Sequence, residues 1–214
     1  MGVITRWLGG PAGLPFVNGP AMMLPQTLDL RPEHRLLDIG AGSGALARLL
    51  HTIVGFESPP VALDASARVL ATAPGSEPRI APVRGTAARL PLAGTSFDVV
   101  LLSHVIGTMD DETFELALRE VRRILKPGGV CLLWEYGPRS SALLDRFNRW
   151  FLQRFDQPRV HLRSSWQIAT EASNAAFARI RVLDFAPFYW PPIPRVALLL
   201  QRAGNRRDKP PQPP

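Results

Sequence analysis

From residue 35 to about residue 135 the chain alternates short apolar runs with helical stretches, and this alternation constrains the fold more than any other feature. Strand-type runs fall at 35–39, 61–63, 80–83, 97–102 and 130–134, and helical stretches at 45–51, 65–73 and 111–125 separate them. Strands that take turns with helices bury both sheet faces when they run parallel and the helices cover either side. Thr108-Met109-Asp110-Asp111 reads as a capping box that opens the third helix. Lys126-Pro127-Gly128-Gly129 reads as its stop and turn.

Beyond residue 136 the alternation lapses into an insertion over 137–178, with helical stretches at 141–155 and 165–178. Strand-type runs return at 180–185 and 195–201. The connection between them is too short for a parallel crossover, so the two form an antiparallel pair. The expected fold class is therefore α/β, a seven-stranded, mostly parallel sheet with an antiparallel last strand and helices on both faces. The expected organisation is an N-terminal cap segment over 1–34, a domain over 35–203 that carries the insertion, and a basic, Pro-rich disordered tail over 204–214. Of the net charge of +7, the residues from Arg202 onward supply Arg202, Arg206, Arg207 and Lys209 against Asp208. A nucleic-acid binder would carry its basic stripe inside the fold, so no nucleic-acid partner is expected. Cys131 is the one cysteine of the chain, which excludes an internal disulfide and a multi-cysteine metal site; no metal is expected and the compartment reads as reducing and cytoplasmic. Glycine and proline interrupt the apolar residues near the N-terminus, unlike a secretory signal.

The sharpest local signal is a buried strand, Leu36-Leu37-Asp38-Ile39, that runs into Gly40-Ala41-Gly42-Ser43-Gly44 and then a helix. Glycines there let the backbone turn tightly and approach a ligand without an intervening Cβ. The turn also satisfies a looser dinucleotide fingerprint, and a turn that merely packs strand on helix is a further reading. Asp38 separates these readings. A carboxylate beside the turn repels a pyrophosphate, whereas it suits a ligand with an ammonium and a sulfonium, both of which S-adenosylmethionine carries. Asp64, at the end of the next strand, can accept both ribose hydroxyls, or cap the helix that starts at Ala65; the two roles are compatible.

Together with Gly85-Thr86-Ala87-Ala88-Arg89-Leu90-Pro91, Ser96 to Val100, Leu102-Ser103-His104 and Arg119 to Gly129, these residues make the sequence resemble the class I S-adenosylmethionine-dependent methyltransferases. Within them it is similar to the branch that includes the ubiquinone and menaquinone biosynthesis methyltransferases. The resemblance spans about Leu36 to Glu135 in the family's order and implies a Rossmann-like sheet with S-adenosylmethionine as cofactor. It implies that Gly40, Ala41, Gly42, Ser43 and Gly44 line the methionine and ribose part, with Asp38 at the amino-acid end. Asp64 and Ala65 would stand at the ribose, Thr86 and Ala87 at the adenine, and Ser103 and His104 under the cofactor. Where the family commonly has Gly-Asp-Ala, this chain has Gly85-Thr86-Ala87, so the adenine amino group would meet a neutral hydroxyl.

Methyl transfer needs no enzyme nucleophile, because the cofactor is already activated and the protein supplies position. A base helps if the acceptor is a hydroxyl or phenol. His104 is the histidine at the carboxyl edge of the sheet and the candidate catalytic residue, with packing against the cofactor as its other reading. Glu135 is a second candidate, with a solvated strand terminus as its alternative. The absence of an Asn/Asp-Pro-Pro-Tyr/Phe motif after the fourth strand favours a small apolar or aromatic acceptor. A non-catalytic partner protein of the same fold and an NAD-dependent oxidoreductase are the competing classes. On a helical wheel, 141–155 gathers Leu143, Leu144, Phe147, Trp150, Phe151 and Phe155 on one face. That face reads as core, as a lid over the acceptor with the aromatic loop Phe188-Tyr189-Trp190 opposite, or as a peripheral membrane contact.

Overall fold

A computed structural model describes residues 19–66, 79–138, 141–154, 161–184 and 194–204. Its strands are β1 (Leu36–Ile39), β2 (Val61–Asp64), β3 (Ala81–Arg84), β4 (Phe97–Ser103), β5 (Leu125–Tyr136), β6 (Arg179–Leu183) and β7 (Arg195–Gln201). They form one sheet in the order β3-β2-β1-β4-β5-β7-β6. The first five pair in parallel, and β7 runs antiparallel to both β5 and β6. The expected sheet is thus present, and the antiparallel strand, last in the chain, sits between β5 and β6.

Strand periodicity sorts the core into two layers. Val99 and Leu101 of β4 join Leu132 and Trp134 on one face, under Leu46 and Leu50 of α2 (Ala45–Val54) and Leu24 of α1 (Leu24–Thr27). Val100 and Leu102 join Cys131 and Leu133 on the other, under α3 (Asp111–Ile124) and α5 (Ser165–Asn174). Helix α3 buries Phe114, Ala117, Leu118, Val121 and Ile124, a single stripe at helical spacing.

Two local expectations are corrected. Helix α3 is capped by Asp110, whose side chain accepts from the Thr113 N–H, because Ile106–Thr108 form a 3-10 turn in which the Thr108 hydroxyl donates to the Val105 carbonyl. A capping box does occur at α5, between Ser164 and Gln167. The Lys126 to Gly129 stretch follows the end of α3 as expected, yet it lies inside β5 rather than before it. Leu125 pairs with Phe97 and Val130 with Val99, so the extra residues form an excursion within the ladder. Long-range bonds hold it: Gly128 N–H donates to the Ala203 carbonyl, Arg202 N–H to the Gly129 carbonyl, and Lys126 Nζ reaches Asp98 at 2.8 Å.

The expected helix over 141–155 forms as α4 (Ala142–Arg154), with its apolar side turned outward. Leu143 is 76% exposed and Trp150 58%, with Leu144 and Phe147 also exposed, whereas the polar Asn148 is only 3% exposed. The reading of this face as core is therefore overturned for these four residues. The chain after α4 is fastened to the loop after β4. Buried Arg163 donates to the Ile106 and Met109 carbonyls and to Asp111 Oδ1, and its guanidinium lies 4.7 Å over the Phe114 ring. His161 N–H donates to the Gly107 carbonyl at 2.8 Å. The helix expected at 65–73 beyond residue 66, the aromatic loop 188–190, the tail beyond 204 and the cap segment before residue 19 lie outside the described residues. No helix among the described residues is long and apolar enough to cross a membrane.

Candidate cofactor and methyl-transfer site

Because β1, β2, β4 and β5 are parallel, their carboxyl ends fall along one edge, where ligands of open α/β sheets bind. After β1 the glycine turn folds against β2: the Gly40 and Ala41 N–H groups both donate to the Leu63 carbonyl, at 2.8 and 3.1 Å. Gly40 has φ +72°, and a Cβ there would lie 2.3 Å from Val105 Cγ2; Gly44 has φ +75°, and a Cβ would lie 2.2 Å from Ile80 Cδ1. Both positions therefore require glycine on conformation and on space. Gly44 N–H donates to the Ala41 carbonyl, and the Ser43 carbonyl accepts from the Arg48 guanidinium, which fixes the turn at the start of α2.

Asp64 holds the turn from the side. Its Oδ2 accepts from the Gly42 N–H at 3.0 Å and its Oδ1 from the Ser66 N–H at 2.9 Å, beside the exposed Ala65. The second bond is the local turn that the capping reading of Asp64 anticipates. Two acceptor positions of the carboxylate remain for a ligand. Asp38 is buried in β1 and accepts no side-chain hydrogen bond among the described residues. Burial, followed by the charge of Asp64, pushes its carboxyl up to about 7.

The loop after β3 carries Thr86, exposed, and Ala87, half-buried. It is tied to β2 by the Gly85 N–H on the Asp64 carbonyl at 3.1 Å. Two residues without a role in the sequence reading clamp it from α3. Glu120 accepts the Leu90 N–H, and Arg123, itself bonded to Glu120, donates to the Leu90 and Leu92 carbonyls. Their i, i+3 spacing is visible in the sequence, but their partners lie some thirty residues away.

Ser103 ends β4, and His104 follows with φ +53°, a left-handed conformation costly for a side chain of this kind. Its N–H donates to the Trp134 carbonyl at 2.9 Å. The imidazole lies between the rings of Trp134 and Tyr136, with centroids 5.3 and 4.6 Å away. Neither ring nitrogen has a hydrogen-bond partner, and Nδ1 lies 3.4 Å from Glu135 Oε1. Glu135 is 4% exposed, which overturns the solvated-terminus reading. Its Oε2 accepts from the Gly107 N–H and its Oε1 from the Tyr136 N–H, both at 2.9 Å.

The site fits a cationic nucleoside ligand. A buried, unpaired carboxylate beside a second acidic side chain calls for a positive charge, and the glycine turn provides an approach that a Cβ would close. The residues that would hold S-adenosylmethionine thus meet at one edge of the sheet.

Sheet order and site together define an α/β protein that binds a nucleoside cation at its carboxyl edge. The chain matches the family described as "Methyltransferase domain" over residues 37–133. It is 33% identical over 180 residues to the uncharacterized methyltransferase YcgJ of Bacillus subtilis, covering 78% of this chain and 67% of that protein. It is 29% identical over 185 residues to 2-phytyl-1,4-naphtoquinone methyltransferase of Thermosynechococcus vestitus, covering 85% and 76% of the two chains. The crystal structure of YcgJ superposes with a TM-score of 0.69 at 20% identity, covering 87% of this chain and 99% of that one. The chain belongs to the class I S-adenosylmethionine-dependent methyltransferases, in the branch that includes the ubiquinone and menaquinone biosynthesis enzymes. It is an enzyme that uses S-adenosylmethionine to methylate a small molecule.

Proposed function

We propose that the acceptor is a small apolar or aromatic molecule with an acidic hydroxyl, taken up at a membrane surface that α4 contacts, in an otherwise cytoplasmic protein. The observation that carries this reading is the outward apolar face of α4, with Leu143, Leu144, Phe147 and Trp150 exposed beside the exposed Arg146. Aromatic rings with cationic neighbours suit the boundary of an anionic bilayer. Side chains turned to solvent do not line a pocket beneath their own helix, so the membrane reading is favoured over a lid built from these four. The name of the phytyl-naphthoquinone enzyme among the relatives, an acceptor with a long apolar chain, points the same way.

Within the site, Asp38 faces the cofactor's ammonium, the 40–44 turn lines its methionine and ribose part, Asp64 accepts the ribose hydroxyls and Thr86 meets the adenine. The cofactor, when bound, supplies an activated methyl group. His104 takes the acceptor's proton, and Ser103 and the flanking aromatic rings shape the floor around it.

Phe147→Ala and Trp150→Ala test the membrane contact. Both side chains are exposed, so stability stays within about 0.5 kcal/mol of the parent. Sedimentation with phosphatidylserine vesicles should fall about tenfold in the double variant, since each ring contributes upwards of 1 kcal/mol of apolar burial. S-adenosylhomocysteine affinity should not change, while turnover of a vesicle-borne naphthoquinol with a phytyl chain falls. Parent-level sedimentation would remove the membrane from the reading, and equal loss on a soluble naphthoquinol would restore the lid.

Thr86→Asp tests the adenine contact. A charged acceptor in place of a hydroxyl should tighten S-adenosylhomocysteine binding by about 1 kcal/mol, or roughly fivefold. Arg89, paired with Thr86 across the loop, offers the new carboxylate a competing partner and limits the gain. Weaker binding by calorimetry would place the adenine elsewhere.

A further inference from the structure

We propose that Glu135 is the positioning residue for His104: its fixed carboxylate faces Nδ1, selects the tautomer protonated there, and leaves Nε2 bare to take the acceptor's proton. The proposal rests on the reading of His104 as the base. Glu135 itself is a poor base, because backbone N–H groups of Gly107 and Tyr136 already occupy one position on each oxygen. The same two bonds hold the carboxylate in place. An ionised carboxylate only accepts, so the nitrogen turned toward it is the one that carries the proton.

The surroundings of His104 serve this arrangement. The left-handed backbone aims the side chain across the sheet edge, so that it meets Trp134 and Tyr136 as well as Glu135 on the strand residue between them. The two rings limit how far the imidazole turns. The 3.4 Å separation is long for a hydrogen bond, as active-site bonds often are before substrate binds, and a small ring rotation closes it. Gly107, whose N–H fixes Glu135, also accepts from His161, so the insertion is tied to the residue that orients the base. On turnover the acceptor's O–H proton passes to Nε2 as its electron pair forms the bond to the methyl carbon, and the sulfur–carbon pair remains on sulfur.

The test is two-bond ¹H–¹⁵N spectroscopy of imidazole-labelled protein without ligand at pH 8, for the parent and Glu135→Gln. The expected parent spectrum has Nδ1 protonated and Nε2 bare at His104. Glu135→Gln should lose that preference, and its kcat should fall between about ten- and a hundredfold, part of the 10²–10⁴ that a general base contributes, while S-adenosylhomocysteine affinity stays within twofold. A parent spectrum with Nε2 protonated overturns the proposal whether or not the variant folds. An unchanged tautomer in Glu135→Gln overturns it as well. If His104→Gln turns over at the parent rate while the parent spectrum keeps the Nδ1 proton, the base reading has failed separately, and the Glu135 contact is then only structural.

Discussion

Asp38→Asn should make the ligand-free protein more stable at pH 8 while weakening its hold on the cofactor. Burial and then the charge of Asp64 raise the Asp38 carboxyl from 3.8 to about 7 in the folded chain. Between those values the folded protein keeps a proton that the unfolded chain releases, so stability is fully present below about pH 4 and is lost as pH rises toward 7. At 1.36 kcal/mol per pH unit the loss approaches roughly 4 kcal/mol. Asparagine is never charged and escapes it; with about 2 kcal/mol charged against burying an unpaired amide, the net gain at pH 8 is about 2 kcal/mol. Near pH 4 the gain should vanish. Glu120, held low by its bond to Arg123, and Asp110, held low by its bond to Thr113, act in the opposite sense and below this window. For the parent, stabilisation by S-adenosylmethionine should grow from pH 5 to pH 8 as Asp38 ionises against the ammonium. Identical pH dependence of chemical denaturation in parent and variant would show that Asp38 is not the group concerned.

The second large effect is expected from Asp64→Ala. Two hydroxyl bonds to a charged acceptor, at roughly 1.5 to 3 kcal/mol each, amount to a loss of about 10² to 10⁴ in cofactor affinity. The variant also releases Gly42 and Ser66, which Asp64 holds at 3.0 and 2.9 Å, so the turn is loosened as well as the ribose. Removing this charge relieves Asp38, and the pH dependence described above should shrink with it. Calorimetry showing unchanged affinity for S-adenosylhomocysteine would remove Asp64 from the ribose.

Strand positions were legible because apolar runs of four to seven residues between turn signals are strands almost by elimination; β7 falls on the expected residues and the others shift by one or two. Strand β5 was the exception. Its first residues carry Lys126 to Gly129, which read locally as a turn, and only contacts from Ala203 and Arg202 make them part of a strand. The turn and Asp64 were legible because their chemistry is local. The burial of Glu135 depends on Gly107, and the clamp of Glu120 and Arg123 depends on a loop some thirty residues away, so neither had a nearby trace. For α4 the periodicity located an apolar face but carried no sign of whether core or solvent lay against it.

The position of β7 between β5 and β6 governs when this enzyme can finish folding during its synthesis. Residues 125–136 leave the ribosome as one long strand whose partner on one side, β4, has already emerged, while the partner on the other side is made some sixty residues later. Until 195–201 appear, the edge of Cys131 to Trp134 stays open, a row of unpaired backbone groups on apolar side chains. Strand β6 cannot close that edge, because its pairing is with β7. A nascent chain stalled in this interval presents a ready template to its neighbours, and slow codons or chaperone contacts at this stage bear on yield rather than on the activity of the finished enzyme.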